Sequence, residues 1–203
     1  MIMVNSPCNP TGAVYTREEI EEIVSIAIEH DLWIISDEIY SRLIWNGGEH
    51  VSPATIEGGK ERTIVISGWS KTWAMTGMRV GFLAGPEQAV RAAVKCQANS
   101  ASHIPTFMME AARVALDCDD HVERFSDAYR QRRKLMVQGL EDIPGLRIVN
   151  PEGAFYLFID VSGTGMSDVQ FADGALEAGV QLIPASLITG GAVSYTHLTL
   201  PTS

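Results

Sequence analysis

The chain has 203 residues, 46% hydrophobic and 20% charged, enough for one large domain or two small ones around a real core. Against 25 Asp and Glu stand 15 Lys and Arg, a net charge of -10. With no basic stripe in the sequence, a surface for nucleic acid or for an anionic membrane is not expected.

Residues 1–4 form a short apolar run ending in the loop NSPCNPTG (residues 5–12), the pattern of a buried strand that delivers a rigid turn. Thr16 then offers an N-cap with Glu19 three residues on, and Ile20, Ile23, Val24, Ala27 and Ile28 follow at helical spacing. Residues 32–36 (LWIIS) are uniformly apolar, as in a parallel strand covered on both faces. Further strand patterns occupy residues 63–67 (TIVIS) and 80–84 (VGFLA), the latter stopped by Gly85 and Pro86.

Helical patterns follow at residues 87–98 and 106–117. Over residues 121–140 the apolar set Val122, Phe125, Tyr129, Met136 and Leu140 marks a long helix that could connect two domains. Beyond Pro144 and Gly145 come strand patterns at 146–149 and 154–160 (AFYLFID), a helix at 167–178 and a strand at 180–183. Their alternation predicts a second, shorter α/β unit. Residues 194–203 (SYTHLTLPTS) lack Asp, Glu, Lys and Arg and any helical period. They read as a non-native tail and are set aside.

Cys8, Cys96 and Cys118 are far apart, and His30, His50, His103, His121 and His197 are equally scattered, so no metal site is expected. A reducing, cytoplasmic setting fits. No apolar run approaches the roughly 20 residues needed to span a bilayer, and no secretory leader is visible.

Chemistry concentrates at the strand ends. Residues 67–81, SGWSKTWAMTGMRVG, leave one strand, place Lys71 in a turn of small residues and enter the next strand after Arg79. A lysine just past a strand end sits where α/β folds build ligand sites, and Arg79 adds an anion-pairing guanidinium. Asp37, at the end of the 32–36 strand, pays desolvation unless a cation or donor faces it. In the first loop, two prolines fix the backbone so that the Asn9 amide is presented at a defined position. Taken singly, Lys71 and Arg79 also read as surface residues, Asp37 as a helix cap, and NPTG as an ordinary turn.

Together the three strings closely resemble the class I/II aminotransferases, pyridoxal-phosphate enzymes of fold type I. The family pattern S-K-x-x-x-M-T-G-x-R-x-G is met at Ser70, Lys71, Met75, Thr76, Gly77, Arg79 and Gly81. NSPCNPTG resembles the family's N-x-P-x-N-P-T-G turn, and Asp37-Glu-Ile-Tyr40 resembles D-E-x-Y. Weaker similarity continues through SHIPT (102–106) and PEGAFY (151–156), so the resemblance spans residues 1 to about 190.

That resemblance implies an α/β fold. Residues 1–118 would be part of a large, cofactor-binding domain, a mainly parallel sheet flanked by helices. Residues 119–193 would be a connecting helix and part of a small α/β domain. It implies that Lys71 binds pyridoxal 5'-phosphate as a Schiff base, and that Ser70 and Arg79 hold its phosphate. Asp37 would keep the ring nitrogen protonated, while Asn9 and Tyr40 bond the phenolic oxygen. The reaction implied moves an amino group between an amino acid and a 2-oxo acid, with Lys71 as base and acid, in a cytoplasmic homodimer.

Two departures accompany the match. Family members normally begin well upstream of Asn5, and they carry a substrate-binding arginine shortly after the segment corresponding to residues 183–186. Here residues 195–198 read YTHL, and the imidazole of His197 does not replace a bidentate guanidinium. The expectation is a parent protein that transaminates and an incomplete fragment with little or no activity alone. A C-S lyase or amino-acid synthase of the same fold would share Lys71 and Asp37, and an aminotransferase-like effector domain of a transcription regulator is a third reading. The complete NPTG and MTGxRxG strings favour transamination.

Overall fold

The computed structural model describes residues 1–189 and 195–199. Its contacts divide the chain into two units. Met1–Pro7 with Val14–Arg124 form the first, and Cys8–Ala13 with the chain from Phe125 onward form the second.

In the first unit, β1 (Ile2–Asn5), β2 (Ile34–Asp37), β3 (Thr63–Gly68) and β4 (Gly81–Ala84) lie side by side in that order. The first three are parallel and β4 is antiparallel to β3. Helix α1 (Arg17–Glu29) supplies the β1 to β2 crossover and begins in a capping box. Thr16 Oγ1 accepts from the Glu19 amide at 3.2 Å while Glu19 Oε2 accepts from the Thr16 amide at 2.8 Å. Such a cap is worth about 1 kcal/mol. Ile20, Val24 and Ala27 of α1 bury against Val4 and Ile34, with Leu32, Val51 and Ile56 closing the edge. Each of the larger aliphatic side chains contributes about 1.5–3 kcal/mol.

The expected burial of the first strand holds for one face only. Val4 is buried on the α1 side, whereas Met3, whose side chain alternates to the other face, is 70% exposed. Beyond β4 the chain forms α2 (Glu87–Ser100), α3 (Thr106–Ala115) and the long α4 (Asp119–Glu141). No described helix is long and apolar enough to cross a membrane.

The boundary between units falls within α4, after Arg124. In the second unit, β5 (Arg147–Ile148), β6 (Tyr156–Asp160), β7 (Ile183–Pro184) and β8 (Tyr195–Thr199) form an antiparallel sheet in the order β5-β6-β8-β7. Alongside it run α5 (Asp168–Glu177) and the single turn α6 (Ser186–Thr189). Leu157, Ile159, Val161, Ala172 and Ala185 are buried, and Tyr129 stacks on Phe155 with centroids 5.1 Å apart. The strand expected at 180–183 pairs only at Ile183 and Pro184.

Within the stretch read as a tail, residues 195–199 form β8, pairing with β6 and β7; residues 194 and 200–203 lie outside the described residues. Backbone pairing of this kind responds to β-propensity, which Tyr195, Thr196 and Thr199 supply.

The NPTG loop belongs to the second unit. The X-Pro bonds Ser6-Pro7, just before it, and Asn9-Pro10, within it, are cis. The Gly12 carbonyl accepts from the Glu152 and Gly153 amides, each at 2.9 Å, and Gly12 has φ +73° with no room for a Cβ beside Pro151. Pro7 and Val14 bracket this excursion, so a segment adjacent in sequence to β1 packs with residues from the far end of the chain.

Candidate active site

Parallel register brings the carboxyl ends of β1, β2 and β3 to one edge of the first unit's sheet, with Asn5 opposite Asp37 and Asp37 opposite Ile66. Ligand sites of α/β sheets form outside such ends. A cavity of about 420 Å³ lies there, lined by Asp37, Ile39, Ile66, Ser67, Ser70, Lys71, Thr76 and Arg79.

Leaving β3, the chain folds into a tight turn. The Trp73 and Met75 amides both donate to the Trp69 carbonyl at 3.3 Å, and the Ala74 amide donates to Lys71 at 3.2 Å. A short 3-10 turn, Thr76–Met78, then leads to Arg79. Trp69 anchors the whole arrangement. Its amide donates to Val80 at 3.2 Å, its indole N-H donates to the Ala112 carbonyl at 2.8 Å, and its ring meets Phe82 edge-on at 5.8 Å. Two non-glycine residues, Ala74 and Arg79, sit at positive φ, 53° and 55°. Left-handed backbone costs an L-residue about 1–2 kcal/mol, and such strain clusters at functional sites.

Lys71 is half-buried, and its Nζ lies 5.6 Å from the centroid of the Tyr40 ring. Burial, assisted by the Arg79 charge, pushes its amine below the usual lysine range. A larger neutral fraction makes the amine a better nucleophile and base. Tyr40 is 3% exposed. Asp37 is fixed by its own turn, its Oδ1 accepting from the Ile39 amide at 3.2 Å. Arg79 is exposed, and its guanidinium donates to the Thr76 carbonyl at 2.9 Å.

Asp37, Ser70, Lys71 and Arg79 thus meet in one cavity, with Tyr40 beside Lys71. Asn9 is exposed and belongs to the second unit. Sequence reasoning missed Ser67, Thr76, Ile39 and Ile66 as lining residues. Thr76 was within reach as a fixed position of the lysine string, but the others carry no signal beyond lying next to motif residues. Among the described residues no cluster of His, Cys, Asp and Glu could hold a metal.

A mainly parallel sheet with a lysine, a carboxylate and an arginine gathered at its strand ends defines an α/β protein with a candidate ligand site. The model of the aminotransferase class I and II family matches residues 1–194, and the chain belongs to that family. It is 40% identical over its whole length to an aspartate aminotransferase of Pyrococcus abyssi and to aromatic-amino-acid aminotransferase 2 of Thermococcus litoralis, covering 53% of each. A solved structure, the aromatic aminotransferase of Pyrococcus horikoshii, superposes with a TM-score of 0.94 at 40% identity, over 99% of this chain and 55% of that one. The chain therefore spans about half the length of the curated relatives it matches.

Pyridoxal phosphate is the cofactor of this family, and the donor set of the cavity fits it. An amine poised to react with a carbonyl, a carboxylate for a ring N-H, and hydroxyl and guanidinium groups for a phosphate line one space.

Proposed function

We propose that the whole protein to which this chain belongs transfers amino groups between amino acids and 2-oxo acids, with pyridoxal phosphate held through Lys71. The observation that carries this reading is the convergence of Asp37, Ser70, Lys71 and Arg79 on one cavity, with the Lys71 amine below its ordinary range. When bound, the cofactor supplies an electron sink that stabilises charge developing on a substrate α-carbon.

The chain's own residues do the rest. Asp37 would face the ring nitrogen and keep its proton in place. Ser70 and Arg79 would bind the phosphate, the guanidinium supplying the charge-assisted contact. Tyr40 would bond the phenolic oxygen, with Asn9 of the NPTG loop as its companion. Lys71 Nζ would take the substrate's α-proton as base and, as acid, deliver it to the cofactor carbon that accepts the amino group.

Substrate choice is open, because relatives at the same 40% identity are named for aspartate and for aromatic amino acids. A cytoplasmic homodimer is part of the same reading. The free thiols Cys8, Cys96 and Cys118 support the reducing compartment, and the family resemblance supports the dimer.

The test uses the whole protein and an amino-acid panel with a 2-oxo acid acceptor. Turnover, a visible band from bound cofactor, and loss of both in Lys71→Ala by about 10³-fold or more in rate are expected. Pyruvate release from cystathionine without an acceptor would replace this reading by a lyase.

A further inference from the structure

Strand alternation sends Asp37 toward the cavity and the flanking Ser36 and Glu38 to the opposite face of β2. There Glu38, 8% exposed, is the centre of a buried polar cluster. Its Oε1 accepts from Ser36 Oγ at 2.9 Å and from Ser52 Oγ at 2.6 Å, and its Oε2 lies 3.0 Å from His50 Nε2. The main chain of the same residue is held as firmly. The Glu38 amide donates to the Ile66 carbonyl at 2.8 Å, and its carbonyl accepts from the Ser41 amide at 3.0 Å and from Ser67 Oγ at 3.2 Å.

These bonds tie the start of the Asp37–Tyr40 turn to β3 and to the loop that carries His50 and Ser52. Ile66 and Ser67 belong to β3, immediately before the lysine turn. Ser52 caps the 3-10 turn Pro53–Thr55, its Oγ accepting from the Ala54 amide at 3.3 Å, and His50 stands two residues earlier. A carboxylate in such a place carries a desolvation cost unless its oxygens are filled. Burial pushes Glu38 up, yet the bonds from His50, Ser52 and Ser36 outweigh it and hold the carboxyl below the usual glutamate range. The charged form is therefore the one this cluster is built around.

We propose that Glu38, clamped by His50 and Ser52, is a positioning residue for the cofactor site: from the back of β2 it fixes the strand end so that Asp37 and Tyr40 are presented to Lys71. The inference rests on the pyridoxal-phosphate reading above. Glu38 touches none of the reacting groups; it acts through the backbone it shares with Asp37 and through the turn that carries Tyr40.

The test compares wild type, Glu38→Gln, His50→Ala and His50→Gln in the whole protein. Cofactor affinity is read by spectroscopic titration at a temperature where circular dichroism shows every variant folded. Glu38→Gln and His50→Ala are expected to bind about 10-fold more weakly, the scale on which supporting shells act. His50→Gln, which keeps an N-H donor, is expected to recover most of that loss. Should Glu38→Gln not fold, Ser52→Ala removes the 2.6 Å donor to Glu38 together with the Ala54 cap and is expected to loosen binding a few-fold. Wild-type affinity in the folded variants overturns the proposal, as does equal loosening in His50→Gln and His50→Ala. No cofactor uptake by wild type overturns the function reading and this inference with it, whereas uptake with unchanged affinity in the variants overturns this inference alone.

Discussion

Lys71 Nζ stands 5.6 Å from the ring centroid of Tyr40, an amine held over an aromatic face while burial and the Arg79 charge both disfavour its proton. The ring returns part of the ammonium's lost hydration, but the net displacement of the lysine is downward. A lysine whose folded pKa lies below its unfolded value of about 10.4 penalises folding fully below the folded pKa. That penalty fades as pH rises toward the unfolded value. Lys71→Met, which keeps the length and removes the charge, is therefore expected to stabilise the chain at neutral pH, with the gain shrinking toward pH 10. Urea unfolding of both proteins across that range checks it. A gain independent of pH would mean that packing, not the buried charge, separates them.

The Gly12 contact gives a second prediction. A Cβ built on Gly12 would stand 2.3 Å from Pro151 Cβ, and its φ of +73° is one that L-residues rarely adopt. Backbone on one side and a proline ring on the other leave no soft neighbour to yield. Gly12→Ala should cost about 2 kcal/mol or more, through clash and left-handed strain together. Thermal melting measures it, and a loss below about 0.5 kcal/mol would show that the loop can swing away from Pro151.

That contact also shows where the sequence was legible and where it was not. Lys71, Asp37, Ser70 and Arg79 could be placed because they fall in strings that resemble the class I/II aminotransferases, beside apolar runs whose ends composition marks locally. Thr16 and Glu19 announced α1 in the same local way. The attachment of NSPCNPTG could not be read. Its neighbours in sequence are β1 and α1, and Asn5 and Ser6 do donate to the Asp37 carbonyl, but the Gly12 carbonyl accepts from Glu152 and Gly153. Nothing local encodes a pairing between residues so far apart. Glu38 was hidden differently, as a letter of the D-E-x-Y string, because its partners His50 and Ser52 come from a loop without periodicity. The residues 195–199 were set aside on composition, while the strand β8 is defined by backbone pairing with β6 and β7, which composition does not mark.

Strain in the lysine turn is separable from its chemistry. Ala74 is exposed, at φ 53°, and its amide donates to the Lys71 carbonyl. Glycine adopts that backbone without the Cβ penalty but loses more conformational entropy on folding. Ala74→Gly should stabilise the chain by up to about 1 kcal/mol, and Ala74→Val should destabilise it by a similar amount. Urea midpoints of the two variants, on opposite sides of wild type, are the expected result; the same sign for both would remove backbone strain as the cause.

Asp168 offers a test in the second unit. It opens α5, is 2% exposed, and its Oδ2 accepts from the Ser186 amide at 2.8 Å, holding the turn that follows β7. Burial pushes its carboxyl up, but the Ser186 amide and hydroxyl and the amides at the start of α5 outweigh burial and hold it below the usual aspartate range. A depressed carboxylate contributes stability that is complete above its unfolded pKa of about 3.9 and lost as pH falls through the folded value. At pH 7, Asp168→Asn should cost less than Asp168→Ala, because asparagine keeps an acceptor for Ser186 and gives up only the charge at the helix N-terminus. The expected losses are about 0.5–1 kcal/mol for the first and about 1–3 kcal/mol for the second. At an acid pH below the folded value wild type loses its own carboxylate, so the Asp168→Asn difference should close while part of the Asp168→Ala difference persists. Urea unfolding at both pH values decides it: an Asp168→Asn loss as large in acid as at neutrality would mean that the ionised form of Asp168 is not what secures the Ser186 turn.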